Sequence, residues 1–230
     1  MYPLQRWWWQ RQRRSLAATA QSPLRGWLEQ DIPGARDDFA QTRWLVIDLE
    51  TTGLESDARI ISVGWVPIRQ GRIVLGAARH RLVNQENVTT GVGDSATVHR
   101  ITDTELDSGA ALAEVLTELF ENLQGHWPVF HGAALDTRLL DIACREYFDG
   151  RFAAPWADTL QVEKARRERR DITIRPGDLQ LDTLRHAYRL PPHTQHHALS
   201  DALATAELFC AQARQIAGGR APRAAAFLGS

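Results

Sequence analysis

Trp44-Leu45-Val46-Ile47-Asp48-Leu49-Glu50-Thr51-Thr52-Gly53 is an apolar run that ends in two carboxylates one residue apart, followed by a threonine pair and a glycine. Side chains alternate faces along a strand, so Asp48 and Glu50 point one way while Ile47 and Leu49 point the other. Two residues of strand span roughly 6.5–7 Å, which suits carboxylates that share divalent ions about 3.5–4 Å apart. Acids at the end of an otherwise buried strand are costly unless they are paired or hold a metal. A strand that simply surfaces into a polar turn explains the same pattern, so this stretch alone leaves both readings open.

Outward from this strand, Arg59–Ile68 reads as a second strand and Arg72–Val83 as a third. The links are short, with Gln70-Gly71 as a two-residue turn, which predicts antiparallel hairpins; parallel neighbours need a long crossover. Ala110–Leu123 has helical spacing, with Leu112, Val115, Leu116, Leu119 and Leu123 on one face and Gly125 closing it. Trp127–His131 is a short fourth strand and Ala133–Tyr147 another helix. Antiparallel strands followed by alternating helix and strand predict an α/β fold with a mixed sheet. From Trp156 onward the chain reads as mostly helical: Asp158–Arg170, Leu179–Leu190 stopped by Pro191-Pro192, and Ala198–Ile216 ended by Gly218-Gly219.

With 230 residues, 43% hydrophobic and 24% charged, the chain suits one globular domain with extensions. We expect a leader over residues 1–41, a domain over 42–216 and a short flexible tail over 217–230. The leader sets Trp7, Trp8 and Trp9 beside Arg6, Arg11, Arg13 and Arg14, with no acid up to Arg14. Such a cluster stacks on single-stranded bases, lies on an anionic membrane, docks a protein partner, or packs its tryptophans on the domain. The net charge of −1 gives no global attraction to nucleic acid, so a local patch must supply it. Lys164, Arg166, Arg167, Arg169 and Arg170 form the best phosphate-contacting run inside the domain, against the default of a solvated helix face. Cys144 and Cys210 lie in apolar helical patterns, as free thiols do in a reducing compartment. There is no apolar run of transmembrane length and no secretory core, so a cytoplasmic setting without integral membrane contact is expected.

Two later stretches bear on the opening pair. In Phe130-His131-Gly132-Ala133-Ala134-Leu135-Asp136, a strand ends at glycine and an acid falls in the first turns of a helix, where it also complements the helix dipole. In His196-His197-Ala198-Leu199-Ser200-Asp201, a histidine precedes the last helix and an acid sits within it, among Leu199, Ala202, Leu203 and Ala206. An ionised carboxylate in that neighbourhood needs a partner. A neutral imidazole ahead of it is suited to take a proton from a metal-bound water near neutral pH.

Together, Asp48-Leu49-Glu50, His131…Asp136 and His196…Asp201 resemble the three motifs of the DEDDh family of 3′→5′ exonucleases, in order and over about residues 42–214. Thr51-Thr52-Gly53-Leu54, Val98-His99-Arg100-Ile101-Thr102 and Asp158-Thr159-Leu160 add softer matches. In appearance the chain is similar to the epsilon-type proofreading subunits of bacterial DNA polymerase III and their stand-alone homologues.

The resemblance implies a ribonuclease H-like fold, with a mixed five-stranded sheet and flanking helices. It implies that Asp48, Glu50, Asp136 and Asp201 hold two Mg²⁺ ions, with Mn²⁺ able to substitute, for two-metal phosphodiester hydrolysis. His196 takes the role of general base, with His197 as its neighbouring decoy. Thr51, Gly53 and Leu54 match positions at the terminal nucleotide, and His99 is placed in the same pocket or in a capping or core role. The implied activity is removal of nucleoside monophosphates from the 3′ end of single-stranded DNA or frayed ends. Exoribonuclease action on short RNA is the alternative; a binding module that does not cut is another, disfavoured because clustered carboxylates repel phosphate. Gly132 and Leu135 replace the asparagine and phenylalanine of many relatives, which puts nearby substrate contacts in doubt. The expected partners are nucleic acid with a free 3′ end and, through the leader, a protein.

Overall fold

Strand β1 (Trp44–Thr51) runs through the middle of the sheet and is buried over most of its length. The computed structural model describes residues 3–34, 36–55, 57–84, 108–218 and 221–228. β2 (Ile60–Arg69) pairs antiparallel with β1, and β5 (Trp127–Phe130) pairs parallel with it from Trp44↔Trp127. β6 (Ala157–Asp158) extends the parallel side through Val129↔Ala157. On the far edge of β2 lie β3 (Arg72–Ile73) and β4 (Arg79–Leu82), both antiparallel. The sheet is mixed, as expected, but has six strands rather than five, because β3 and β4 share the edge beside β2.

The single third strand expected over Arg72–Val83 is broken in two. A 3-10 turn at Leu75–Ala77 separates β3 from β4, and Val74 turns back so that its N–H meets the Pro67 carbonyl at 2.9 Å. The Leu-Gly-Ala-Ala sequence there lacks the β-branched side chains that hold a strand extended. The hairpin before it is as read: Gln70 and Gly71 both have positive φ (53° and 68°), which matches the twist of the flanking strands.

The helices are α1 (Pro3–Ala17), α2 (Leu24–Glu29), α3 (Leu112–Leu123), α4 (Ala134–Phe148), α5 (Thr159–Glu168), α6 (Leu181–Ala187) and α7 (Ala198–Ala217). Because β1 and β2 are covered on both faces, each reads as a near-continuous apolar run. α7 packs on β1 and β2 and buries Ala202, Ala206, Phe209 and Ala213 along one stripe. Its small residues let the helix axis come close to the sheet. α3 buries Val115, Leu116, Leu119 and Leu123 of the face its spacing predicted, joined by Phe120, while Leu112 is only partly buried.

Segments outside 42–216 share this core. Trp27 of α2 is fully buried against Phe120 and Phe152, with ring centroids 5.6 and 5.1 Å away. Phe39 meets Trp44, Phe209 and Phe227. α1 is fastened by Arg13, which is buried between the Trp27 and Trp127 rings and donates to the carbonyls of Ala153 and Trp27. At the other end, Phe227 and Leu228 are buried, with Leu228 bridged to Ala157 and Arg223 to Asp38. The C-terminal stretch expected to be flexible therefore packs against the body through its aromatic residue. Trp7, Trp8 and Leu4 remain exposed on α1. Among the described residues no helix is long and apolar enough to cross a membrane. Cys144 and Cys210 are free thiols.

Candidate active site

β1 delivers Asp48 and Glu50 to one face of the sheet, where Asp48 lies opposite Gly64 and Glu50 opposite Ser62. The ladder slips between Glu50 and Thr51, so regular pairing ends as the second acid is placed. Asp201, one turn into α7, meets them. Ligand oxygens of Asp48, Glu50 and Asp201 all lie within 4.8 Å of one another. Residues about 150 positions apart in sequence thus form one cluster.

The approach of α7 depends on Gly64. A Cβ there would stand 2.3 Å from the Ala198 carbonyl carbon and 2.4 Å from the Leu199 nitrogen, so only glycine lets the helix start sit at this depth. The sequence offers no motif for this residue, and its role emerges only from the packing.

Asp136 enters from the first turn of α4. The turn into that helix needs Gly132 at φ +75°. It is held by Asp158, whose carboxylate accepts the N–H groups of Gly132 and Ala133 at 3.0 Å each and caps α5 by accepting from Leu160 at 2.9 Å. Asp158-Thr159-Leu160, a soft motif match in the sequence, ties β6 to the turn that carries Asp136. His131 is fixed by a 2.7 Å contact between its Nδ1 and the Thr159 hydroxyl.

The acids perturb one another. Burial raises Asp48 well above the ordinary carboxylate range, and Asp136, Asp201 and Glu50 add to the rise. Glu50, 5% exposed, is pushed up to about 8 by burial and then by Asp201 and Asp136. Burial also lifts Asp136 to about 7, against the pull of backbone hydrogen bonds at Asp136 and Leu49. Crowded carboxylates of this kind form a hard, anionic oxygen donor set, and a divalent cation would offset their mutual repulsion. The residues present fit such an ion.

Beyond the acids, the Thr51 hydroxyl donates to the Gly53 carbonyl at 2.8 Å. Arg138 of α4 donates to the carbonyls of Leu54 and Glu55 at 3.4 and 2.9 Å, pinning the loop beside the site. Leu54 projects outward at 80% exposure, and a side chain on Gly53 would meet open space. His99 and the stretch Val98–Thr102 lie outside the described residues.

The two histidines before α7 separate cleanly. His197 is the N-cap: its Nδ1 accepts from the Ser200 N–H at 3.3 Å, and its ring stacks on His80 with centroids 4.4 Å apart. His196 has φ +59° and lines a cavity of about 400 Å³ together with Asp48, His131 and Asp201. Its backbone N–H donates to Asp201 Oδ2 at 2.8 Å. The same cavity holds a histidine that the sequence reading passed over. His193, in the Pro191-Pro192-His193 run, places Nε2 2.7 Å from Asp201 Oδ1. Its only signal in the sequence was membership of a three-histidine stretch.

Two of the five basic residues in the run after Asp158, Arg166 and Arg167, are drawn inward by a buried acid. Glu163, buried at 1% exposure, accepts from Arg166 at 2.9 and 2.6 Å, from Arg167 at 3.0 Å and from the Tyr188 hydroxyl at 2.8 Å. Arg166 and Arg167 are therefore poor phosphate contacts; Lys164, Arg169 and Arg170 remain exposed.

Residues 45–209 match the family described as Exonuclease (RNase_T). Over 172 residues, 74% of the chain, the sequence is 30% identical to a DNA polymerase III PolC-type protein of Thermotoga petrophila, covering 12% of that protein. Over 171 residues, 72% of the chain, it is 30% identical to a DNA polymerase III subunit epsilon-like protein of Rhodobacter capsulatus, covering 23% of it. The chain thus spans less than a quarter of either relative. Among solved structures, the nuclease domain of 3′hExo, a DEDDh family member bound to rAMP, superposes with a TM-score of 0.64 at 16% identity, covering 84% of this chain and 98% of that one. E. coli Exonuclease I in complex with a dA16 oligonucleotide gives 0.61 at 16% identity, covering 74% and 40%. At these identities the structures speak for the shared fold.

Proposed function

Because the chain belongs to the exonuclease family, we propose that it is a 3′→5′ exonuclease that removes nucleoside monophosphates from single-stranded DNA or frayed 3′ ends, dependent on divalent metal. The observation that carries this reading is the convergence of Asp48, Glu50 and Asp201 within 4.8 Å beside a cavity, with the charge of Asp136 near enough to raise Asp48 and Glu50 further. Two relatives at 30% identity are described as DNA polymerase III proteins, which favours DNA over RNA as substrate.

Asp48, Glu50, Asp136 and Asp201 would hold two Mg²⁺ or Mn²⁺ ions. When bound, the ions supply the Lewis acidity that lowers the pKa of the attacking water and offsets charge on the leaving 3′ oxygen. His196, on the cavity wall, takes the proton of that water. Leu54, exposed beside the acids, packs on the terminal base, while Thr51 and Gly53 form the turn that presents it. His99 belongs to the same proposed pocket. The exposed tryptophans of α1 offer the surface through which a partner protein is recruited.

The test is shortening of a 5′-labelled single-stranded oligonucleotide, with matched DNA and RNA versions. A ladder of products from the 3′ end with Mg²⁺, abolished by EDTA and by Asp201→Ala, is the expected result. No shortening by the wild-type chain, or equal shortening by Asp201→Ala, sinks the proposal. Faster loss of the RNA version moves the substrate to RNA.

A further inference from the structure

We infer that His193 is a positioning residue, whose imidazole sets the orientation of the Asp201 carboxylate from a seat beside Asp182 on α6. The inference rests on the metal-dependent reading for the role of Asp201. His193 lies three residues ahead of His196, outside the motif shared with the family.

The geometry is specific. His193 Nε2 is 2.7 Å from Asp201 Oδ1, and Nδ1 is 3.1 Å from Asp182 Oδ1. The side chain is 8% exposed, although it borders the cavity. The Nε2 contact is a hydrogen bond, whereas Nδ1 faces Asp182 without hydrogen-bond geometry; packed between two carboxylates, the imidazole serves to hold Asp201.

Both oxygens of Asp201 are held by one short segment: Oδ1 by His193, and Oδ2 by the N–H groups of His196 at 2.8 Å and His197 at 3.4 Å. A carboxylate gripped at both ends cannot turn about its Cβ–Cγ bond, yet Oδ1, with His193 as its one hydrogen-bond partner, keeps a second lone pair for a ligand.

The segment is itself anchored. Arg185 of α6, 2% exposed, donates to the Pro191 and Ala204 carbonyls at 2.6 Å each and to Glu207 at 2.7 Å, so α6, the His193 segment and α7 move together. Gln195 adds a hydrogen bond to Asp182 from the same segment. Hydrogen-bonding partners of metal-binding groups tune affinity, and removing one typically costs about 10- to 100-fold.

The experiment is calorimetric titration of Mn²⁺ into the metal-free full chain, with a thermal melt of each variant. His193→Ala should weaken Mn²⁺ binding about 10- to 100-fold. His193→Gln, whose side-chain amide donates to Asp201 from a similar reach, should recover most of the loss. Asp182→Ala, which removes only the far partner, should fall between them. A packing role alone would lower the melting temperature of His193→Ala and His193→Gln alike and leave Mn²⁺ affinity where it was. Wild-type or tighter affinity in a folded His193→Ala overturns the inference, as does equal loss in the alanine and glutamine variants. Should His193→Ala fail to fold, His193→Gln binding more weakly than Asp182→Ala overturns it. Asp201→Asn tells the two readings apart. If it binds Mn²⁺ as the wild type does, the metal site falls and the role of His193 with it. If it loses Mn²⁺ while His193→Ala does not, only the role of His193 falls.

Discussion

A Cβ on Gly64 would stand 2.3 Å from the carbonyl carbon of Ala198, the first residue of α7. Gly64 is also the β2 partner of Asp48 in the ladder. The same residue thus sets how deeply the helix carrying Asp201 settles beside the strand carrying Asp48. Gly64→Ala is expected to push α7 away, because the contact is with backbone and cannot be relieved by a rotamer change. We expect a stability loss of about 1–3 kcal/mol from overpacking, and a fall in exonuclease activity larger than the stability loss explains at a temperature where the variant is folded. Thermal melts paired with the oligonucleotide assay check this; full activity in the variant would contradict it.

Asp158 offers a second lever on the same cluster from the opposite side. Replacing it with alanine strands the N–H groups of Gly132, Ala133 and Leu160, at a cost of about 2 kcal/mol. It also loosens the turn that places Asp136. Asp158→Ala should lose activity by about 10-fold or more at a temperature where it remains folded, and Asp158→Asn should keep part of both properties because one oxygen still accepts. Chemical denaturation and initial rates measure the two effects separately.

The raised carboxylates predict how the metal-free protein responds to pH. Glu50 and Asp136 titrate in the fold at about 8 and about 7, against ordinary values of 4.5 and 3.8. For an acid raised by folding, the stabilising contribution is fully present below the unfolded pKa and is lost as pH rises through the folded one. The buried His80, His126 and His131 are shifted down from 6.5 and oppose this trend below that pH, so the clean window is above it. Between about pH 6.5 and 8.5 the melting temperature in EDTA should fall. Glu50→Gln should flatten the slope and be the more stable protein at the upper end, by about 1–2 kcal/mol. Mn²⁺ should raise the wild-type melting temperature most where the acids are ionised. A flat or rising wild-type curve in EDTA would count against the coupled cluster.

Arg13 holds α1 on the body from a fully buried position, and burial lowers its pKa to about 9. Arg13→Leu removes the side-chain donor to the Ala153 carbonyl, leaves the Trp27 carbonyl to Gln30, and should cost about 2–3 kcal/mol. Arg13→Lys should recover little, since a point charge cannot reach two carbonyls and lie flat between two indole rings. Chemical denaturation ranks the three proteins; a lysine variant as stable as the wild type would show that charge alone suffices.

Much of this protein was determined by its sequence alone. The alternating acids of Asp48-Leu49-Glu50, the helical spacing of Leu112–Leu123 and the Gln70-Gly71 turn are local patterns, set by the period of a strand, the period of a helix and the sign of φ. They were legible because nothing distant decides them, and with Asp201 they marked three acids whose ligand oxygens the fold brings within 4.8 Å of one another, a group that does not include Asp136. Other features exist only once the chain has closed. Gly64 matters because α7 lands on it, His193 because Asp182 and Asp201 converge on it, and Arg166 and Arg167 are drawn inward by Glu163. Trp27 and Phe227 lie in segments that composition had set apart, yet they fill one aromatic core with residues far from them in sequence. Close approach, shared hydrogen bonds and burial depend on which surfaces meet, and that was decided by the tertiary structure.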